Sequence, residues 1–351
     1  MLRLKTMRLA RLVRATFATF AGLITFASLA AFASLAALAT FATLALSTSA
    51  QAQSFPSKSI RIVVPFGAGG IADLSARIVA QALSSSLGQP VVIDNKPGAG
   101  GVVAAEMVAK ADADGHTLLL MSNANAVSAG LFRKLPFDNV RDFTPVGMIG
   151  TFDLAIVVSA DSPFKTLSEL IAYARANPDK LNIGSINIGS TQHLAAELFK
   201  TSAGVNVQVV PFNGTPAIVS ALRGKQVDAA VEILGPMLPQ IQSGAVRALA
   251  VAGDGRSAAL PNVPTVTESG LAGYVVTSWN ALAAPAKTPV AVIERLHRDL
   301  IQALTKPDVV TKLRQLNVEP KPGGPAEVSQ LLKSEIARWS GVIAKAKIPQ
   351  Q

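Results

Sequence analysis

The tetrapeptide Gly-Ala-Gly-Gly occurs twice in this chain, at 67–70 and at 98–101. Each copy follows an apolar, β-branched run and precedes a stretch with helical periodicity. Glycine lets a backbone approach a ligand closely and take positive φ. The first amides of a helix lack intrahelical partners and sit at the positive end of its dipole. A glycine loop at such a place suits an anion, whether carboxylate or phosphate. The competing reading for each loop is a tight strand-to-helix turn that binds nothing. The first loop is the better ligand candidate, because ligands of open α/β sheets lie beyond strand C-termini. Gly67-x-Gly69-x-x-Ala72 also fits a dinucleotide fingerprint, with Asp94 where a ribose-binding acid would stand.

Other chemistry is sparse. His116, His193 and His297 lie far apart, without metal-ligand spacing, and there is no cysteine. Neither a G-x-S-x-G elbow nor a P-loop occurs. No metal, cofactor or catalytic residue is expected. Asp112, Asp114 and Asp161 read as turn acids. Asp228 opens and Glu232 closes an apolar strand pattern. A carboxylate in the position of Glu232 either faces a cleft or caps a solvated strand end.

These residues are positioned by alternating strand and helix patterns. Strands are expected at 61–65, 90–94, 116–121, 155–158, 181–184, 207–210, 227–231 and 246–251. Helices are expected at 73–87, 102–111, 167–176, 192–201 and 216–223, with a helical C-terminal region over 289–304, 309–316 and 325–346. Strands separated by helices predict an α/β protein with a parallel sheet.

The first 52 residues have a different character. Five bases (Arg3, Lys5, Arg8, Arg11, Arg14) precede an uncharged stretch from Ala15 to Leu46, and Ala50-Gln51-Ala52 closes the segment. That order is the layout of a secretory signal peptide, cleaved near Ala52-Gln53. The uncharged stretch is longer than the roughly 20 residues a membrane span needs, so an uncleaved N-terminal anchor is the alternative. Met7 is a second candidate start. Removing the five leader bases from 32 leaves 27 against 22 acids, a net charge of about +5. That excess is too diffuse for nucleic acid, and two Trp and two Tyr give no base-stacking surface. The absence of cysteine fits an oxidising compartment.

From Phe55 to Ile348 the chain resembles the Bug/TctC substrate-binding proteins of tripartite tricarboxylate transporters. The matching stretches are 56–66 (Pro-Ser-Lys-Ser-Ile-Arg-Ile-Val-Val-Pro-Phe), Gly69-Gly70 with Asp73, and 95–101 (Asn-Lys-Pro-Gly-Ala-Gly-Gly). They continue through 134–138, 141–143, 193–199, Val210-Pro211-Phe212 with Gly214, 247–251, 260–266 and Thr277-Ser278-Trp279. Their order and spacing, more than any one motif, carry the resemblance. It implies an α/β two-lobed clamshell, the type II periplasmic-binding-protein fold, each lobe a mainly parallel sheet flanked by helices. The expected domains are a signal peptide (1–52), a first lobe (53–154 with 278–351) and a second lobe (155–277). Hinge crossings are expected near Phe152–Val158 and Tyr274–Leu282.

The resemblance further implies an extracytoplasmic, monomeric solute receptor. It would bind a small organic carboxylate largely through loop amides, hydroxyls and bridging waters rather than an arginine, with membrane permease subunits or a sensor as partner, and without nucleic acid. Carried over by position, the ligand contacts are Phe66, Gly69, Gly70, Asp73, Ser122 and Asn123 from the first lobe. Ser190, Thr191, Phe212, Gly214, Thr215 and Glu232 supply the second. Where the family commonly has Ser-Thr, this chain has Ile71-Ala72, which removes two hydroxyls and makes the wall more apolar. Glu232 stands where Asp is usual. Ionised in the cleft, it would bind a ligand amine or repel a second carboxylate, favouring a monocarboxylate or amine-bearing acid over citrate. The rival classes are an exported α/β enzyme and a dinucleotide-binding oxidoreductase.

Overall fold

A computed structural model describes residues 55–351. The expected leader, its cleavage site and the alternative anchor fall outside the described residues. Among those described, no helix is long and apolar enough to cross a membrane.

Two groups of parallel strands carry the architecture. In the first, β1 (Ile60–Val64) pairs parallel with both β2 (Val91–Asn95) and β3 (Thr117–Ser122). In the second, β5 (Asn182–Ile186) pairs parallel with β6 (Gln208–Phe212) and β7 (Ala229–Ile233). Ile60, Ile62, Val63 and Val64 are fully enclosed. Burial on both faces is why such strands read as continuous apolar runs. Each such side chain contributes about 1.5–3 kcal/mol relative to exposure.

Helices follow these strands. They are α1 (Ile71–Leu87), α2 (Val102–Ala109), α3 (Asn123–Leu131), α4 (Leu167–Ala176), α5 (Thr191–Ala203), α6 (Thr215–Arg223) and α7 (Leu234–Gln242). Helix α1 buries Ala72, Ala76, Val79 and Leu83 at helical spacing, and it ends at Gly88, which takes the left-handed conformation. Helix α4 has the expected bounds because Thr166 and Glu169 form a reciprocal capping box.

The joining strands differ from a simple parallel plan. β4 (Phe143–Ser159) runs for 17 residues and pairs antiparallel with four partners, one of them the two-residue strand Glu319–Pro320. Its first part, 143–153, lies beside β9 (Thr277–Pro285). Its last part, 154–159, lies between β7 and β8 (Val246–Val251). β9 in turn pairs antiparallel with β3. The sheet is therefore mixed. A chain that leaves one strand group along β4 and returns along β9 must run in opposite directions on the two. The sequence pattern marked only 155–158 of β4 as a strand, because Pro145, Gly147 and Gly150 interrupt its first half. Two register shifts accommodate these residues.

The C-terminal helices α8 (Val290–Leu304), α9 (Pro307–Gln315) and α10 (Pro325–Lys345) pack back onto this frame. In α10, Trp339 is fully enclosed. Helices α3 and α7 have no counterpart among the sequence expectations. The Asn-Ala-Asn-Ala start of α3 is weakly helical by composition, and α7 holds Pro236 and Pro239. Ser122 and Asn125 stabilise α3 through a capping box that lacks the usual acid.

Candidate functional site

A cleft of about 840 Å³ lies beyond the C-terminal ends of the parallel strands. Five strand-to-helix junctions line it: β1–α1, β3–α3, β5–α5, β6–α6 and β7–α7. This is where the topology of an α/β sheet places a ligand. Four of these junctions present residues at helix N-termini to the cleft: Gly67–Ala72 before and in α1, Ser122 and Ala124 at α3, Ser190–Gln192 at α5, and Asn213–Pro216 at α6. At α1 and α6 the N-cap residues are glycines with no side-chain cap; the first-turn amides of α1 remain free for an anion, whereas at α6 Pro216 has no N–H and Ala217 N–H donates to Gly214 O, which leaves the Thr215 amide.

The first glycine loop is held from behind. Asp73 Oδ2 accepts from Gly69 N–H at 2.8 Å and from Arg77 Nε at 3.0 Å. Its Oδ1 accepts from Asn95 Nδ2 at 3.0 Å and meets the Arg77 guanidinium at 2.9 Å. Asn95 also donates to Phe66 O. Burial alone would raise the Asp73 carboxyl, but Arg77, the Gly69 amide and Asn95 together hold it below the usual carboxylate range. Gly69 has φ +82°, a conformation only glycine adopts without strain.

The second wall is organised by Glu232, whose side chain is fully enclosed. Its Oε1 accepts from Gln192 Nε2 at 2.8 Å and from Ile233 N–H at 2.7 Å, and its Oε2 accepts from the Thr215 hydroxyl at 3.1 Å. Burial raises this carboxyl, and the three donors only partly offset it. Side chains alternate along a strand, so Ile233 reaches the cleft while Glu232 does not. Its reach is spent on Gln192 and Thr215, two residues that do line the cleft. The expectation that Glu232 meets a ligand amine or repels a second carboxylate is therefore corrected: an enclosed carboxylate with three donors has no free face to offer.

A third chain of hydrogen bonds links the two strand groups. Trp339 Nε1 shares its proton between Glu335 Oε2 at 2.6 Å and Asn123 Oδ1 at 2.8 Å, and Asn123 Nδ2 donates to the Thr191 hydroxyl at 3.1 Å. The Thr191 and Ser278 hydroxyl oxygens lie 3.0 Å apart. Asn280, also on the cleft, donates to Ser75 Oγ, whose own proton goes to Ala72 O. That arrangement leaves Asn280 Oδ1 as an acceptor without a partner among the described residues.

Of the twelve site residues expected from the sequence, eight line this cleft: Phe66, Gly69, Gly70, Ser122, Ser190, Thr191, Gly214 and Thr215. The other four do not. Asp73, Asn123 and Glu232 are enclosed behind the wall and hold residues that line it. Phe212 packs at the edge of the second hydrophobic cluster. Gln192, Asn213, Arg223, Gln240, Ser278 and Asn280 line the cleft without having been expected. The second glycine loop does not line it, and Gly101 packs against Pro65 and Ala124. Asp94 is ion-paired with Arg61 and Lys96.

The model of the tripartite tricarboxylate transporter family receptor matches residues 75–348. Protein BugT of Bordetella pertussis is 35% identical over 300 residues, covering 85% of this chain and 92% of its own. Rpa4515 of R. palustris, solved with adipate, is 35% identical with a TM-score of 0.79, covering 84% of this chain and 99% of its own. MatC of Rhodopseudomonas palustris, solved with bound malate, is 34% identical with a TM-score of 0.76, covering 82% and 100%. The chain has the two-lobed periplasmic-binding-protein fold and belongs to the tripartite tricarboxylate transporter receptor (Bug/TctC) family.

Proposed function

We propose that the protein is an extracytoplasmic receptor that captures a small organic carboxylate between two lobes, residues 53–154 with 278–351 and residues 155–277. The observation that carries this reading is the convergence of four helix N-termini on one cleft. Free amides and hydroxyls there supply donors to a carboxylate, and the dipoles favour negative charge. Two solved relatives hold adipate and malate, which supports the same ligand class.

Capture proceeds by hinge closure. The crossing segments near Phe152–Val158 and Tyr274–Leu282 bend, and the Asn123–Thr191 bond is one of the contacts that closure makes. The closed form presents a surface that a membrane permease or a sensor reads. The protein acts as a monomer, without cofactor, and performs no catalysis. The leader directs export and is removed near Ala52-Gln53.

A thermal-shift screen tests this reading. The panel holds mono-, di- and tricarboxylates, amino acids, aromatic acids and NAD. A carboxylate at 100 times its Kd adds about 2.7 kcal/mol to stability and raises Tm visibly. A shift with NAD alone, or silence with every carboxylate, contradicts the proposal.

A further inference from the structure

The cleft has chemistry at its far end that an anion bound at the helix N-termini does not use. Helix α6 presents Thr215, Val219 and Arg223 to the cleft. Their spacing, i, i+4 and i+8, puts them on one face. Along that face a hydroxyl at the helix start gives way to methyl groups and then to a guanidinium. Helix α7 repeats the order beside it, with apolar Pro236 followed one turn later by the Gln240 amide, both on the cleft.

Arg223 is the one charged side chain among the described residues that line the cleft. It is exposed. Arg77, Arg256, Arg295 and Arg314 are each held by a carboxylate, whereas Arg223 has none within ion-pair distance among the described residues. A guanidinium with five donors and no acid partner, on the wall of a binding cleft, is equipped to take a second carboxylate in a bidentate grip. The Cα positions of Thr215 and Arg223 are separated by about 12 Å of helix rise, and the arginine side chain leans back toward the helix start. A short acid anchored at the N-termini falls short of that point. A longer chain with methylenes beside Val219 and Pro236 spans it.

Resting on the receptor reading above, we propose that Arg223, with Gln240, forms a second anion subsite that selects elongated α,ω-dicarboxylates over monocarboxylates. This reverses the preference for a monocarboxylate that Glu232 suggested at the sequence level.

The test is calorimetric titration of the full protein with matched pairs: suberate against octanoate, pimelate against heptanoate, and succinate against butyrate. Suberate and pimelate are expected to bind at least about tenfold more tightly than their monoacids, as a charge-assisted pair requires. The succinate pair is expected to differ less. In Arg223→Gln the long-diacid advantage falls to within about threefold, and Arg223→Lys restores part of it. Equal affinities within the long pairs, or an advantage that survives Arg223→Gln, overturn the subsite and leave the receptor reading standing. Failure of all six acids to bind, together with silence in the thermal screen, overturns both.

Discussion

On the first wall of the cleft the buried carboxylate is Asp73, and it faces a cation. On the second it is Glu232, and it faces only neutral donors. Both lie directly behind a helix N-terminus, and both accept a backbone amide together with side-chain donors. Arg77 spans from solvent to Asp73, with half its side chain exposed, so that wall's charge is neutralised where it stands. Glu232 has no such partner, and burial drives its carboxyl upward. The difference teaches how the two walls withstand perturbation. A charge-compensated support loses one contact at a time. An uncompensated one holds two ligand-facing residues, Gln192 and Thr215, through a single group whose loss frees both.

Glu232→Leu is therefore expected to have the largest effect. It leaves the Gln192 amide, the Thr215 hydroxyl and the Ile233 N–H without their acceptor, at a cost of about 2–4 kcal/mol after relaxation. Carboxylate affinity should fall by at least about tenfold. Urea unfolding and calorimetry measure the two effects. Unchanged binding would mean that the second wall does not depend on Glu232.

Asp73→Asn should cost less, about 1–2 kcal/mol. The amide keeps one acceptor for Gly69 but loses the ion pair with Arg77. Equal or greater damage than in Glu232→Leu, by the same two measurements, would reverse the contrast between the walls.

A smaller effect comes from His193, in the first turn of α5, whose burial pushes its imidazole down to about 4. The unfolded chain takes up this proton near pH 6.5, while the folded chain resists until about pH 4. Stability is therefore lost as pH falls through that window, by about 1 kcal/mol between pH 7 and 5.5. Glu232, with its carboxyl raised, contributes with the opposite sign at the acid end. The quantity to measure is thus the difference between wild type and His193→Leu. A pH profile that does not change in His193→Leu would rule out this assignment.

The smallest contrast lies within one loop. Gly69→Ala places a Cβ at φ +82° and should cost about 1 kcal/mol. Gly70→Ala, at φ −80° with its nearest neighbour 3.8 Å away, should leave stability within about 0.5 kcal/mol. Thermal unfolding of the two variants, if equally destabilised, would show that something other than φ sets the loop.

Much of this was legible in the sequence, and what was not has physical causes. The central parallel strands β1 and β7 announced themselves as apolar runs because they are covered on both faces. The first glycine loop was readable because its glycines follow a strand and open a helix. Position 232 was expected to contact the ligand and instead lies enclosed behind the wall, because a sequence does not say which face of a strand end a side chain takes. Gln192 sits one residue past the expected Thr191. Arg223 closes the helix expected at 216–223 and follows Thr215 by eight residues, so its face could have been counted out. Ser278 and Asn280 reach the cleft only because β9 crosses back beside β4, a tertiary fact that no local pattern encodes. Helix α7 escaped notice because Pro236 and Pro239 contradict helix propensity, although a proline early in a helix removes a donor that has no partner there.

The most direct test of the central claim is calorimetric titration of the protein with its best carboxylate ligand and with the primary amide of the same acid. The amide keeps the shape and removes the charge. If the cleft binds through helix N-termini and their donors, the acid should bind at least about 100-fold more tightly than the amide. Equal binding of the two would show that shape and apolar contact, rather than anion capture, hold the ligand, and it would contradict the account.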